Sequence, residues 1–243
     1  LDGATYKLDL DNNNSTQTSD KLQINGNLTF GGQNTISLGQ WQTGTYTIIS
    51  ATSIEDITGK FLIKLGNNAL TDRQWAELKV VGNDLQRTTA VQNLTMTWAG
   101  NSGDNWDYTS INKWTGAADT LLVANDYAVF NNDRNGNVVV RAGGVETAGM
   151  EISGTYSFSG GDISGATAAT GNNPRSDGIL TVKSGGNATF ANRLDFSGGV
   201  AINNGGILKL AQGGAFADNM GIVNAGELIV ENTAAQTISN VVT

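Results

Sequence analysis

Residues 19–38, SDKLQINGNLTFGGQNTISL, with GTYTIISA at 44–51, decide how this chain is read. Leu22 to Ile24, Leu28 to Phe30 and Ile36 to Leu38 are short runs with alternate apolar positions, joined by turns of Asn and Gly. Residues 45–49 form a fourth such run. Alternation with a period of two marks strands that bury one face, and Asn and Gly supply the backbone conformations of tight turns. The same rhythm returns at 178–216 in GILTVKSGGNATFANRLDFSGGVAINNGGILKLAQGGAF. There and just beyond, GILTV, GGILKL and AGELIV begin at Gly178, Gly205 and Ala225, with leucine or isoleucine in matching slots. Offsets of about 20 to 30 residues are those of a chain that winds one turn repeatedly and stacks each coil on the last. The expected fold is all-β, a right-handed parallel β-helix (β-solenoid), with Leu180, Leu208 and Leu228 in its interior stacks.

The expected organisation is a less regular solenoid part over 1–97, a Trp-rich junction over 98–137 and regular coils over 138–243. Together these read as one continuous solenoid. One segment departs from the pattern: ALTDRQWAELKVVG, at 69–82, spaces Leu70, Trp75 and Leu78 as a helix would, with Thr71 or Asp72 as a cap. A short helical turn is one reading there, against the strand character that returns at Val80 and Val81.

Composition narrows function by exclusion. With 14 Lys plus Arg against 22 Asp plus Glu, the formal charge is −8, and no basic stretch exists to displace counterions from phosphates. Nucleic acid is therefore not an expected partner, and the same deficit argues against anionic lipid. The chain has no cysteine and no histidine, which removes disulfides, thiolate or imidazole metal sites and the histidine-based nucleophile relays. No apolar run approaches the roughly 20 residues that span a bilayer, so no membrane insertion of this segment is expected. No cofactor is expected either. The start at Leu1 is read as that of a piece excised from something longer.

Two constellations suggest contacts. Trp98, Trp106 and Trp114 recur every eighth residue through a turn-rich stretch, with Tyr108 among them. Aromatic faces beside Asp104, Asn105 and Asp107 suit the stacking of sugar rings, giving Trp98, Trp106, Tyr108 and Trp114 as candidate carbohydrate or ligand contacts. The competing reading is architectural, with the indoles buried as packing. DLDNNNSTQTSD, at 9–20, places oxygen ligands at alternate positions, making Asp9, Asp11 and Asp20 candidate calcium ligands. An EF-hand loop needs Gly at its sixth position and Glu at its twelfth, where Asn14 and Asp20 stand, so a polar loop is the competing reading. Asp162, Asp177, Asp195, Asp218 and Glu227 are spread among turns, and no catalytic set emerges from their spacing.

Three segments together resemble the passenger region of autotransporters, the type V secreted proteins of Gram-negative bacteria. They are NNNSTQTSDKLQINGNLTFGGQNTISL (12–38) with GTYTIISA, then TWAGNSGDNWDYTSINKW (97–114) with DYAVFNN (126–132), and ENTAAQTISNVVT (231–243). The last is similar to the opening of the autotransporter-associated β-strand repeat. The resemblance implies export through an outer-membrane barrel and a place on the bacterial cell surface or in the medium. It also implies a non-enzymatic role as an adhesin or self-association module. The partners so implied are a host cell-surface or matrix protein or glycan, or the same protein on neighbouring bacteria. Three alternatives stand beside it: a shed passenger that is the ligand of a host receptor, a β-helical polysaccharide-degrading enzyme, and a β-sandwich carbohydrate-binding module.

Overall fold

The computed structural model describes residues 2–8, 10–11, 18–118, 120–165, 177–218, 220–232 and 240–242. Every regular element among them is a β-strand, and most strands pair in parallel. No helix among the described residues is long and apolar enough to cross a membrane. The chain divides into two compact units, Leu1–Gln92 and Asn93–Thr243. The Trp-rich stretch belongs to the core of the second unit.

In the first unit Thr5–Leu8, Asn34–Leu38 and Phe61–Leu65 form a parallel ladder. Leu22–Gln23 pairs in parallel with Gly44–Ser50, and Asn27–Leu28 with Ser53–Ile54. The chain thus visits three ladders in a fixed order and then repeats the order. Ile36, Leu38, Leu28 and Ile48 are buried between them, and Phe30 meets Phe61 edge to face at 4.7 Å. Aromatic pairs favour this geometry because the positive ring edge faces the negative ring face.

The 69–82 segment corrects the helical reading. Thr71 and Gln74 do make half of a capping box, the Thr71 N–H donating to Gln74 Oε1 at 3.0 Å. The Gln74 N–H returns to the Thr71 carbonyl, and there the chain extends instead of coiling. Gln74–Val81 is a strand, paired antiparallel along its whole length with Asp84–Val91 across a turn led by Gly82 at φ +60°. Ala76, Leu78 and Val80 are half-buried while Glu77, Lys79 and Val81 are exposed, a period of two that outranks the loose spacing of Leu70, Trp75 and Leu78.

The hairpin carries an unusual charge. Arg87 is 0% exposed, its guanidinium lies 4.6 Å over the ring of its cross-strand neighbour Tyr46, and its side-chain nitrogens have no hydrogen-bond partner among the described residues. Burial pulls its pKa down, and the interaction with Tyr46 partly restores it. An unpaired buried cation costs more than the apolar side chain of similar length that would replace it. Arg87→Met is therefore expected to leave the urea midpoint unchanged or raise it. A loss above about 1 kcal/mol would show that the cation–π contact outweighs desolvation.

In the second unit three parallel sheets build the stack, all three present in its four central coils. The first holds Thr95–Trp98, Tyr127–Phe130, Gly149–Ile152, Ile179–Val182, Gly199–Ile202, Gly221–Asn224 and Asn240–Val242. The second holds Asp104–Trp106, Gly136–Val140, Thr155–Gly160, Asn187–Phe190, Ile207–Leu210 and Glu227–Val230. The third holds Val145–Thr147, Ile163–Gly165, Arg193–Phe196 and Ala215–Phe216. This arrangement is compatible with a β-solenoid.

Like side chains stack in register inside it. One column is Ala128, Met150, Leu180, Val200 and Ile222, and another is Val138, Phe158, Phe190 and Leu210, all buried. Phe158 and Phe190 stack at 4.7 Å with an interplanar angle of 11°. Leu180 and Leu208 are buried as the sequence leads one to expect, and Leu228 is half-buried against the same core. They do not share a ladder, however. Leu180 stands in the first sheet, whereas Leu208 and Leu228 are partners in the second. Every side of a coil carries the same alternation, so similarity of motif does not say which side a strand occupies.

Corners are held by specific devices. Asn192 Nδ2 donates to the Gly161 carbonyl of the preceding coil, and Asn232 Nδ2 to Gly214 of its preceding coil, both at 2.6 Å. At Gly165 a Cβ would collide with the Phe196 ring one coil on, so only glycine admits that phenylalanine to the core. Asp126 is wholly buried, its two oxygens accepting the N–H groups of Leu94 and Val123, each at 2.8 Å. It ties the approach to Tyr127–Phe130 to the start of Thr95–Trp98.

Candidate binding groove

The tryptophans form a cluster at the first coil of the second unit. Trp98 and Trp114 are cross-strand partners on antiparallel strands, with rings 5.1 Å apart and edge to face. Trp106 arrives from the second sheet, 5.5 Å from Trp114 and 5.2 Å from Phe130. The three are 2%, 0% and 1% exposed, so their faces are shared with one another and not with a ligand. Gly100 packs flat on Trp98, where a Cβ would collide with the indole. Of the two readings of the eight-residue recurrence, this burial supports the architectural one over the aromatic platform. An eight-residue recurrence fixes position in the chain but says nothing of which way a side chain points.

Tyr108 is the exception. The loop that carries it is tied by Asp107, which accepts the N–H groups of Thr109 (2.8 Å) and Ser110 (2.6 Å) and both their hydroxyls. Partial burial pushes the Asp107 carboxyl upward, and those hydrogen bonds outweigh it, holding the pKa below the usual value. Lys113 does the same for Asp104 across a 2.6 Å ion pair, helped by the Asn101 N–H. Held this way, the Tyr108 hydroxyl reaches the edge strand Val145–Thr147, donating to the Glu146 carbonyl at 3.1 Å and accepting its N–H at 2.5 Å. Burial raises the phenol pKa above its ordinary value, so Tyr108 stays protonated at neutral pH.

Beside this ring lies a groove of about 350 Å³, walled by Tyr108, Arg141, Glu146, Asp162 and Ser164. The Arg141 guanidinium is 5.5 Å over the Tyr108 ring. Glu146 and Ser164 are register partners on the third sheet, and Ser164 pairs in turn with Asp195, so the three form an outward line along the stack. Of the carboxylates noted in the sequence, the structure brings Asp162 and Asp195 to this face. Asp177, Asp218 and Glu227 lie elsewhere along the coils. Arg141 and Glu146 were not legible as site residues, because coil register alone brings them to Tyr108, from 33 and 38 positions away.

The calcium candidates are only partly placed. Asp9 lies outside the described residues, and Asp11 ends the strand Leu10–Asp11, which pairs antiparallel with Thr18–Ser19. Asp20 follows that pair and is exposed. Among the described residues no three His, Cys, Asp or Glu side chains gather closely enough to hold a metal ion.

Comparison with known proteins found no matching family model, no matching curated protein and no matching solved structure.

Proposed function

We propose that this chain is a segment of an autotransporter passenger, a right-handed parallel β-helix displayed on the bacterial surface or secreted. In this reading it is a non-enzymatic adhesin or self-association module. The supporting observation is the stacked three-sheet unit, one of whose outer columns runs in register through three uncharged polar side chains to a lysine. On the second sheet Asn137, Ser157, Thr189 and Lys209 follow one another outward, one strand spacing of about 4.8 Å apart. Such a face offers many weak polar contacts and no single deep anchor, and binding through it gains strength from multivalent display. Its partners in this reading are a host cell-surface or matrix component, or the same protein on a neighbouring cell.

The test compares bacteria displaying a passenger that contains this segment with bacteria whose passenger lacks it. Adhesion to epithelial cells, adhesion to matrix-coated plates and settling by aggregation are measured. The expected result is a clear loss of at least one of the three on deletion. Equal behaviour would reduce the segment to a spacer, and tight binding by the soluble monomer would favour a shed receptor ligand instead.

A further inference from the structure

We infer that the groove beside Tyr108 is a binding site for a neutral sugar, one or two residues of a glycan chain. The inference deepens the adhesin reading and rests on it for its biological setting, though not for its chemistry. The volume of about 350 Å³ is at the small end of ligand-binding pockets, which fits a short saccharide and not an extended polymer. Its walls hold both kinds of hydrogen-bonding group. Arg141 offers five N–H donors in a planar fork, and Glu146 and Asp162 offer acceptor oxygens. No ion pair joins these three to one another or to any other described residue, so their capacity faces the groove and solvent. Ser164 adds a hydroxyl, which leans back to the Val145 carbonyl at 3.3 Å.

A sugar hydroxyl donates and accepts at once, so a ring with several hydroxyls can engage a guanidinium and two carboxylates together. The Tyr108 ring, fixed by its two hydrogen bonds to Glu146 and packed against the core, lies under Arg141 and steadies the guanidinium at the groove wall. Two carboxylates against one guanidinium leave the groove net negative, which disfavours uronic and sialic acids. The sequence points to Tyr108 among tryptophans, but its working partners come from the next coil, Arg141 and Glu146, and the one after it, Asp162.

The experiment applies the whole chain to an array of immobilised neutral and acidic mono- and oligosaccharides, then titrates the best neutral probe by calorimetry. Arg141→Ala and Asp162→Asn are run in parallel, each with a thermal melt. Both side chains are exposed, so unchanged melting is expected. The expected result is retention of neutral glycans with affinity weakened about tenfold in each variant, as losing a charge-assisted hydrogen bond implies. No retention of any neutral glycan, a preference for acidic probes, or unchanged affinity in both variants would overturn the assignment. The display comparison separates the two ideas. Adhesion that survives both substitutions leaves the adhesin reading standing without the groove, and glycan binding by a segment whose deletion leaves adhesion intact does the reverse.

Discussion

Replacing Trp106 with alanine is expected to lower the melting temperature of the second unit by about ten degrees. The indole is wholly buried and touches Trp114, Phe130 and Phe158, with ring centroids 5.5, 5.2 and 6.4 Å away. Truncating an aromatic side chain in such a setting costs on the order of 3 to 5 kcal/mol, in lost transfer energy and in the cavity left behind. For a unit of this size each kcal/mol shifts the midpoint by about 2 to 4 degrees. Collapse around the cavity is limited, because the neighbours are ring systems held by strands in fixed register. Trp106→Phe should recover more than half of the loss, its ring still filling most of the space. Melting followed by circular dichroism checks both variants. An unchanged midpoint in the alanine variant, combined with lost glycan binding, would return Trp106 to the role of a ligand platform.

The second large effect is expected at Asp126. Removing its carboxylate by Asp126→Ala leaves the Leu94 and Val123 N–H groups without their acceptor in a partly buried place. Each orphaned donor costs about 1 to 3 kcal/mol, so a loss of about 3 kcal/mol is expected in a urea titration with an unchanged slope. Asp126→Asn retains one acceptor oxygen and should lose about half as much. Equal losses in the two variants would show that charge, not the number of acceptors, holds this junction. A loss below about 1 kcal/mol in the alanine variant would mean that water replaces the carboxylate at little cost.

How far the fold was legible depends on the distance over which a signal acts. Alternation is local, so Leu180 and Leu208 could be assigned to the interior from their own neighbours, and both are buried. The ladder to which a strand belongs is set by what lies a coil away, so GILTV and GGILKL read alike and yet stand in different sheets. The segment at 69–82 departs from its helical spacing for a related reason. Its helical spacing rests on three residues, whereas the pairing that makes it a strand runs through all eight residues of Gln74–Val81. The groove was the least legible feature. Tyr108 was noticed for its aromatic neighbours, which turned inward, and no local pattern announces that Arg141, Glu146 and Asp162 will stand beside it.

The corner between the third and first sheets varies in length while the register on both sides holds. A single residue, Ala148, links Thr147 to Gly149, and two residues link Phe196 to Gly199. Thirteen residues, 166–178, separate Gly165 from Ile179, yet Leu180 pairs with Met150 and Val200 as if nothing had been added. The entropy of closing a loop grows only logarithmically, by about 0.6 kcal/mol per doubling of length, so added sequence there is nearly free. One extra residue inside a strand, by contrast, turns every following side chain inside out. Length between these two strands is thus a quantity the stack tolerates, whereas length inside them is not.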